Sequence, residues 1–326
     1  MTYRLDGSAW RMQGCDMSHD EALDEGVLDP QVVEWFEANP LMGRPLEDFS
    51  PEILALARSP VGAPPTRAIA RVRDDVVDGV PVRFYEHDHP PAGVIVYFHG
   101  GGFCIGSIGL MDNVARELAY CANAAVVSVE YRLAPEHPFP AGLDDCETVT
   151  RWALAHSSEL GASPEPVVVA GESAGGNLAA AVTLRLRGKA DLPLAGQVLI
   201  YPGVDGGSRT HPSREEFAGV VLSHTTMEGF WERYAAGRDL AHDPFAAPLH
   251  AANLADLPPA IVVIGGCDPL RDEGRHYAAR LREDGVAADE VCFGGQPHGF
   301  VNFQLPAAAD AFERVGGWLT SVFTRA

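Results

Sequence analysis

From residue 93 onward the chain repeats one pattern: a short unbroken apolar run, a break containing Gly, Pro or Asn, then a longer stretch with apolar residues three and four apart. Gly93-Val-Ile-Val-Tyr-Phe98 is the first such run, and apolar residues without alternation are what a strand covered on both faces requires. Residues 124–131, 166–170, 197–201, 260–265 and 288–293 have the same character. Ahead of them, residues 70–77 and 81–87 flank Asp78-Gly79 and read as a hairpin. Residues 111–121, 143–160, 177–187, 271–283 and 309–323 carry helical periodicity. Strand followed by helix, several times over, predicts an α/β fold with a mostly parallel sheet and helices on both faces. The hairpin supplies an antiparallel edge.

Two stretches fall outside that rhythm. Residues 1–55 read as helices and loops, with residues 31–38, which hold Trp35 and Phe36, the clearest helix. Residues 203–248 include an amphipathic piece, 227–236, holding Phe230, Trp231 and Tyr234. Both are expected to pack over the ligand-binding edge of the sheet as a helical cap. The organisation expected is an N-terminal part of the cap over 1–55 and a catalytic domain over 56–326, with a cap insertion at about 203–248.

Composition narrows the function classes. At 326 residues with 46% hydrophobic side chains, the chain can build a large core without disulfide or metal support. Lys and Arg number 24 against 45 Asp and Glu, a net charge of −21. Such a surface repels phosphate backbones and anionic headgroups, so neither nucleic acid nor a membrane is the expected partner. The six cysteines, Cys15, Cys104, Cys121, Cys146, Cys267 and Cys292, form no C-x-x-C pair or zinc-ligand spacing and read as reduced core thiols. Residues 1–16 lack an apolar stretch of signal-peptide length, and no run approaches a membrane span, so a cytoplasmic protein is expected.

The chemistry starts at Gly171-Glu172-Ser173-Ala174-Gly175, a G-x-S-x-G motif between a buried strand and a helical run. A nucleophile elbow needs that context, because the serine sits on a strained turn that glycines on either side allow to pack closely. The helix that follows aims its N-terminal N–H groups at developing negative charge. His99-Gly100-Gly101-Gly102-Phe103 follows another strand end, and such glycine loops pair with the elbow to form an oxyanion hole. The expected donors are Gly101, Gly102 and Ala174, with His99 bracing the loop.

A serine hydroxyl needs a base, and the base an orienting carboxylate, in the chain order Ser, acid, His. Asp268 ends the apolar run Ile261-Val-Val-Ile-Gly-Gly-Cys267 and is the expected acid, with Asp205 a weaker rival. Asp272 and Glu273 fall in the next helix's first turn, where they favour the helix dipole. His298 lies in Gly294-Gly-Gln-Pro-His-Gly-Phe300, after Asp268 and in a strand-end loop, and is the expected base. Phe103, Trp35, Phe230 and Trp231 are candidate pocket walls. No H-E-x-x-H metal motif or dinucleotide fingerprint is present, so neither metal nor cofactor is expected.

These motifs together resemble the hormone-sensitive-lipase-like carboxylesterases, which include many bacterial esterases and the arylacetamide deacetylases. The shared pieces are His99-Gly-Gly-Gly-Phe103, Tyr131-Arg-Leu-Ala-Pro-Glu-His-Pro-Phe-Pro-Ala141, Gly171-Glu-Ser-Ala-Gly-Gly-Asn177, Asp268-Pro-Leu-Arg-Asp272 and His298-Gly-Phe300, in the family's order over residues 70–323. The resemblance implies an α/β-hydrolase fold with an eight-stranded sheet, a cap built from the N-terminus and an insertion after the sixth strand, and no cofactor. It also implies small-molecule esters of short to medium acyl chain as substrates, with a homodimer allowed. Where the family usually has Asp before the nucleophile, this chain has Glu172, a position expected to brace the elbow. Amidase, lactonase or deacetylase activity would use the same triad. Receptors on this scaffold lack the base, and His298 is present.

Overall fold

Val and Ile pack well on both faces of a pleated ribbon, and the apolar runs form the strands. The computed structural model describes residues 26–40, 42–161, 166–189, 193–207 and 210–325; the expectations for residues 1–25, Cys15 among them, lie outside the described residues. In chain order the elements are α1 (Pro30–Ala38), α2 (Pro51–Ala57), β1 (Arg71–Val77), β2 (Val80–Glu86), β3 (Val94–Phe98), α3 (Asp112–Ala122), β4 (Ala125–Val129), α4 (Ala141–His156), β5 (Val167–Glu172), α5 (Ala174–Leu186) and β6 (Gly196–Ile200). They continue with α6 (Pro212–Glu216), α7 (His224–Ala235), β7 (Ala260–Cys267), α8 (Arg271–Glu283), β8 (Ala288–Pro297) and α9 (Pro306–Arg325).

The strands form one sheet in the order β1-β2-β4-β3-β5-β6-β7-β8. β1 pairs antiparallel with β2, and β2 with β4, while the remaining pairs are parallel. The period of two along each strand divides the core. Val94, Val96 and Phe98 of β3 face one layer with Leu143 and Val149 of α4, Leu178 of α5 and Leu281 of α8. Ile95 and Tyr97 face the other with Leu118 of α3 and Val315 and Leu319 of α9. Each fully buried Leu or Val stabilises the fold by roughly 1.5–3 kcal/mol relative to exposure.

This topology decides where a site can lie. The chain runs outward from β3 to β4, then crosses back to place β5 on β3's other side. Where the winding reverses, the connections after neighbouring parallel strands diverge and leave a crevice at their carboxyl ends. The residues that follow β3 are the glycine loop, and those that follow β5 are the elbow.

The segments outside the α/β rhythm take two different positions. At the start of α1, Asp29 N–H donates to Gly295 O of β8 at 3.0 Å, and Val32 buries in the layer of α3 and α9. Further along, the Thr226 hydroxyl of α7 donates to Leu46 O at 2.9 Å, and Phe49 meets Phe230 edge to face with centroids 5.1 Å apart. Leu54 of α2 closes a small cluster with Cys104 and Ala134, against which Phe49 and Phe230 pack.

Two adjacent glycines of α9 test the packing between α9 and α3. A methyl at Gly316 would meet the Cys121 carbonyl oxygen at 2.5 Å, whereas one at Gly317 would meet nothing within 4 Å. Gly316→Ala should therefore destabilise the protein by about 1–3 kcal/mol through overpacking. Gly317→Ala should raise stability by about 0.4–1 kcal/mol. Urea unfolding of both variants checks the pair, and equal effects would contradict this helix contact.

Candidate active site

Ser173 sits between β5 and α5 with φ 57° and ψ −118°, a conformation that non-glycine residues rarely adopt. The glycines around it make the turn possible by steric necessity. A side chain at Gly171 would strike the Gly175 carbonyl, and one at Gly175 would strike that of Phe98 at the end of β3. The neighbouring backbone holds the turn: Ser173 N–H donates to Ile200 O at 2.9 Å, and Ser173 O accepts from Asn177 N–H at 3.1 Å.

Register brings Asp268 and His298 together. A β-bulge between Gly265 and Cys267 lets Cys267 pair with Pro297, so the next residues on the two strands, Asp268 and His298, emerge side by side. His298 Nδ1–H donates to Asp268 Oδ2 at 2.8 Å, and the Ser173 hydroxyl donates to His298 Nε2 at 2.9 Å. The carboxylate at Nδ1 fixes the tautomer that leaves Nε2 free to accept. Asp268 has no exposed surface, and its other oxygen accepts from Leu270 N–H at 2.7 Å. Asp205 instead lies against two other histidines, His250 at 2.5 Å and His211 at 2.8 Å.

The glycine loop lies across from this line. Gly101 O accepts from Cys104 N–H at 3.0 Å and Ile105 N–H at 2.9 Å, curling the loop. His99 Nδ1 lies 2.7 Å from Gly100 O, and its ring stacks on Tyr131 with centroids 4.3 Å apart. Ala174 is the first residue of α5, so its N–H has no partner inside the helix.

Glu172 ties elbow and loop together. Its Oε1 accepts from Gly100 N–H at 2.5 Å and from the Tyr97 hydroxyl at 3.2 Å. Burial pushes its carboxyl up to about 7, although the Gly100 N–H, the charge of His298 and the Tyr97 and Asn302 side chains pull it down. For His298, burial pulls the imidazole down. The charge and hydrogen bond of Asp268, with the charges of Glu172 and Glu273, overcome that pull and hold it above the ordinary histidine value. The Cys267 thiol is pushed up to about 12 by burial, which keeps it protonated.

A cavity of about 80 Å³ opens beside Ser173 and Ala174, lined in part by Gly102, Phe103, Phe230 and Trp231. Trp35, expected as a wall, does not reach it. Because α1 docks on β8, Trp35 packs instead against Phe303 and Phe36, with centroids 5.0 and 5.7 Å away. Two polar residues that the sequence reading did not place here, Arg214 and Glu273, also line the cavity. Glu273 was read as a helix-dipole residue; it is buried and accepts from Val204 N–H at 2.7 Å and the Arg214 guanidinium at 2.5 Å. Arg214 stands in the short helix α6 and carried no motif. Among the described residues, no group of three or more His, Cys, Asp or Glu side chains could hold a metal ion.

Fold and site define the class: a hydrolase with a serine elbow at the switch point of an α/β-hydrolase sheet. The family model for the alpha/beta hydrolase fold matches residues 95–302. The esterase LipI of Mycobacterium tuberculosis is 36% identical over 309 residues, covering 91% of this chain and 96% of LipI. The carboxylesterase NlhH of the same organism is 39% identical over 249 residues, covering 74% of this chain and 77% of NlhH. A hyperthermophilic esterase from Pyrobaculum calidifontis superposes with a TM-score of 0.80 at 34% identity, covering 90% of this chain and 98% of that one. The chain belongs to the hormone-sensitive-lipase-like carboxylesterases of the α/β-hydrolase superfamily and is a hydrolase acting on ester bonds.

The charges around His298 generate a prediction. For His298 acting as the base proposed below, the imidazole must be neutral to accept the serine proton, so kcat/KM should fall on acidification, with an apparent pKa above the ordinary histidine value of 6.5. Glu172→Gln removes one of the charges that hold that pKa up, so the acid limb should move to lower pH. A pH–rate profile of the two proteins measures it; a limb that stays in place would leave Asp268 and Glu273 as the groups that hold it up.

Proposed function

We propose that Ser173, His298 and Asp268 are the catalytic triad of this carboxylesterase, that Gly101, Gly102 and Ala174 supply the oxyanion-hole N–H donors, and that its substrates carry short acyl chains. The observation that carries this reading is the continuous hydrogen-bonded line from Ser173 through His298 to Asp268. As His298 takes the hydroxyl proton, Ser173 Oγ attacks the ester carbonyl, and the tetrahedral oxyanion is met by preorganised N–H groups. Asp268 stabilises the imidazolium. His298 then returns the proton to the alcohol oxygen as it leaves, and water, activated by the same imidazole, releases the acid. The cavity supports short acyl chains, since about 80 Å³ is well below the roughly 300 Å³ at which drug-sized ligand sites begin. The ethyl acetate hydrolase of Pseudomonas putida, 34% identical over 227 residues, points the same way.

Within this reading, residues 46–57 and α6–α7 serve as the cap, supported by the contacts of Leu46 and Phe49 with α7. The proposed compartment is the cytoplasm, supported by free thiols at Cys104, Cys121, Cys146 and Cys267. Among the described residues no helix is long and apolar enough to cross a membrane. A homodimer is compatible with the reading but not needed for it, because triad, donors and cavity come from one chain.

Hydrolysis of p-nitrophenyl esters from acetate to laurate should peak at the short end. A laurate optimum would contradict the cavity argument. Ser173→Ala should retain the fold and lose activity on the order of a millionfold in kcat. Asp268→Asn should lose roughly ten thousandfold, because the histidine tautomer is no longer held. Single-turnover kinetics alongside circular dichroism check both, and a crippled Asp205→Asn beside an active Asp268→Asn would reassign the acid.

A further inference from the structure

The cavity beside Ser173 is apolar on most sides, with Phe103, Leu222, Met227, Phe230, Trp231 and Leu270 among its walls. Arg214 interrupts them, although it is only 4% exposed. A buried guanidinium needs a structural reason, and Glu273 provides half of one. Arg214 Nε and Nη2 both donate to Glu273 Oε2, at 3.0 and 2.5 Å. The other carboxylate oxygen accepts from Val204 N–H at 2.7 Å and Asp205 N–H at 3.3 Å, so the acid has partners on both oxygens. The arginine does not fare as well. On its far side, Nη1 faces the thioether of Met227 at 3.8 Å, and sulfur of this kind is a weak acceptor. Arginine has five N–H donors in a fixed fork, and a buried donor without a good acceptor costs on the order of 1–3 kcal/mol.

We propose that Arg214 is a substrate-binding residue, donating from its outward guanidinium edge to an uncharged oxygen of the ester: a carbonyl, ether or hydroxyl beyond the scissile bond. This rests on the esterase reading and specifies its substrate class. The charge balance selects a neutral acceptor over a carboxylate. Glu273 lines the same cavity and already pairs with Arg214, so an added anion would meet a guanidinium whose charge is balanced and a carboxylate beside it. A neutral oxygen satisfies the donor without that repulsion. A hydrocarbon chain in the same place leaves the donor unmet, and sites built to bond an oxygen reject analogues that lack one.

The experiment compares kcat/KM for near-isosteric esters that differ by one oxygen. The acyl pair is p-nitrophenyl pentanoate and p-nitrophenyl β-methoxypropanoate, and the alcohol pair is butyl acetate and methoxyethyl acetate. Each ratio is measured in the wild type, in Arg214→Met and in Arg214→Met/Glu273→Gln, the double variant avoiding an unpaired buried carboxylate. Dividing wild-type by variant ratios cancels intrinsic reactivity. A residual preference for the oxygenated ester of roughly tenfold or more in one pair is expected from one charge-assisted hydrogen bond. Ratios unchanged by either variant in both pairs would overturn the inference while leaving the esterase reading intact. A p-nitrophenyl monosuccinate turned over faster than either acyl ester, with the advantage lost in Arg214→Met, would overturn the neutral acceptor in favour of an anion site. No hydrolysis of any ester by the wild type would remove the esterase reading itself, and the inference with it.

Discussion

The backbone of Ser173 is the constraint on which the site depends. Holding a side-chain-bearing residue at φ 57° costs free energy, on the order of 1–3 kcal/mol for a sparsely populated conformation. The surrounding structure supplies it through contacts too close for any side chain: Gly175 against the end of β3, and Gly171 against Gly175. These contacts do more than tolerate the turn. They lock the start of α5 onto the strand that leads into the glycine loop, so nucleophile, helix N-terminus and loop share one rigid frame. The proposed oxyanion donors, the N–H groups of Gly101, Gly102 and Ala174, need such a frame, because preorganised donors stabilise charge without reorganising as it forms.

The same frame explains how three buried carboxylates coexist around one imidazole. Asp268 bonds His298 and Leu270 N–H, Glu172 bonds Gly100 N–H and Tyr97, and Glu273 bonds two backbone N–H groups and Arg214. Their roles diverge because their partners do. Asp268, hydrogen-bonded to the imidazole, holds it in place. Glu172, with its carboxyl pushed up to about 7, sits close to neutrality and braces two backbones. Glu273 anchors the chain after β6 and neutralises a guanidinium. In the proposed mechanism Asp268 and Glu273 favour the imidazolium that forms as the serine attacks, and Glu172 does so to the extent that it is ionised.

What the sequence made legible follows period and motif. The sheet could be read because buried parallel strands are apolar without interruption, and the Ser173–His298–Asp268 contact because chain order and strand ends leave few choices. The bridge made by Glu172 was legible only as a departure from the family's Asp; its contact with Gly100 depends on β3 and β5 being neighbours, which no local pattern states. Trp35 was misplaced because an aromatic residue on an amphipathic helix does not say which surface the helix docks on; the Asp29–Gly295 backbone bond that decides it has no side-chain signature. Glu273 was read from its place in a helix's first turn, and that reading missed Arg214, which approaches from 59 residues away in sequence.

The cap contact bears on the chemistry as well as on the pocket. Gly102 has φ 57°, and any side chain there would overlap the Phe230 ring, so this aromatic of α7 lies directly on bare backbone of the oxyanion loop. Phe49 in turn supports Phe230 edge to face, and Arg233 lies over the Phe49 ring at 4.1 Å. An apolar ring held against the loop covers one side of the Gly102 backbone. Hydrogen bonds to developing charge strengthen as the local dielectric falls, so in the proposed mechanism Phe230 also raises what the Gly102 N–H contributes to the transition state. On the proposed reading, substrate selection and oxyanion stabilisation are joined at a single contact, Phe230 on Gly102. A change of cap sequence there would alter turnover together with preference, because the wall of the pocket is also the shield of the donors.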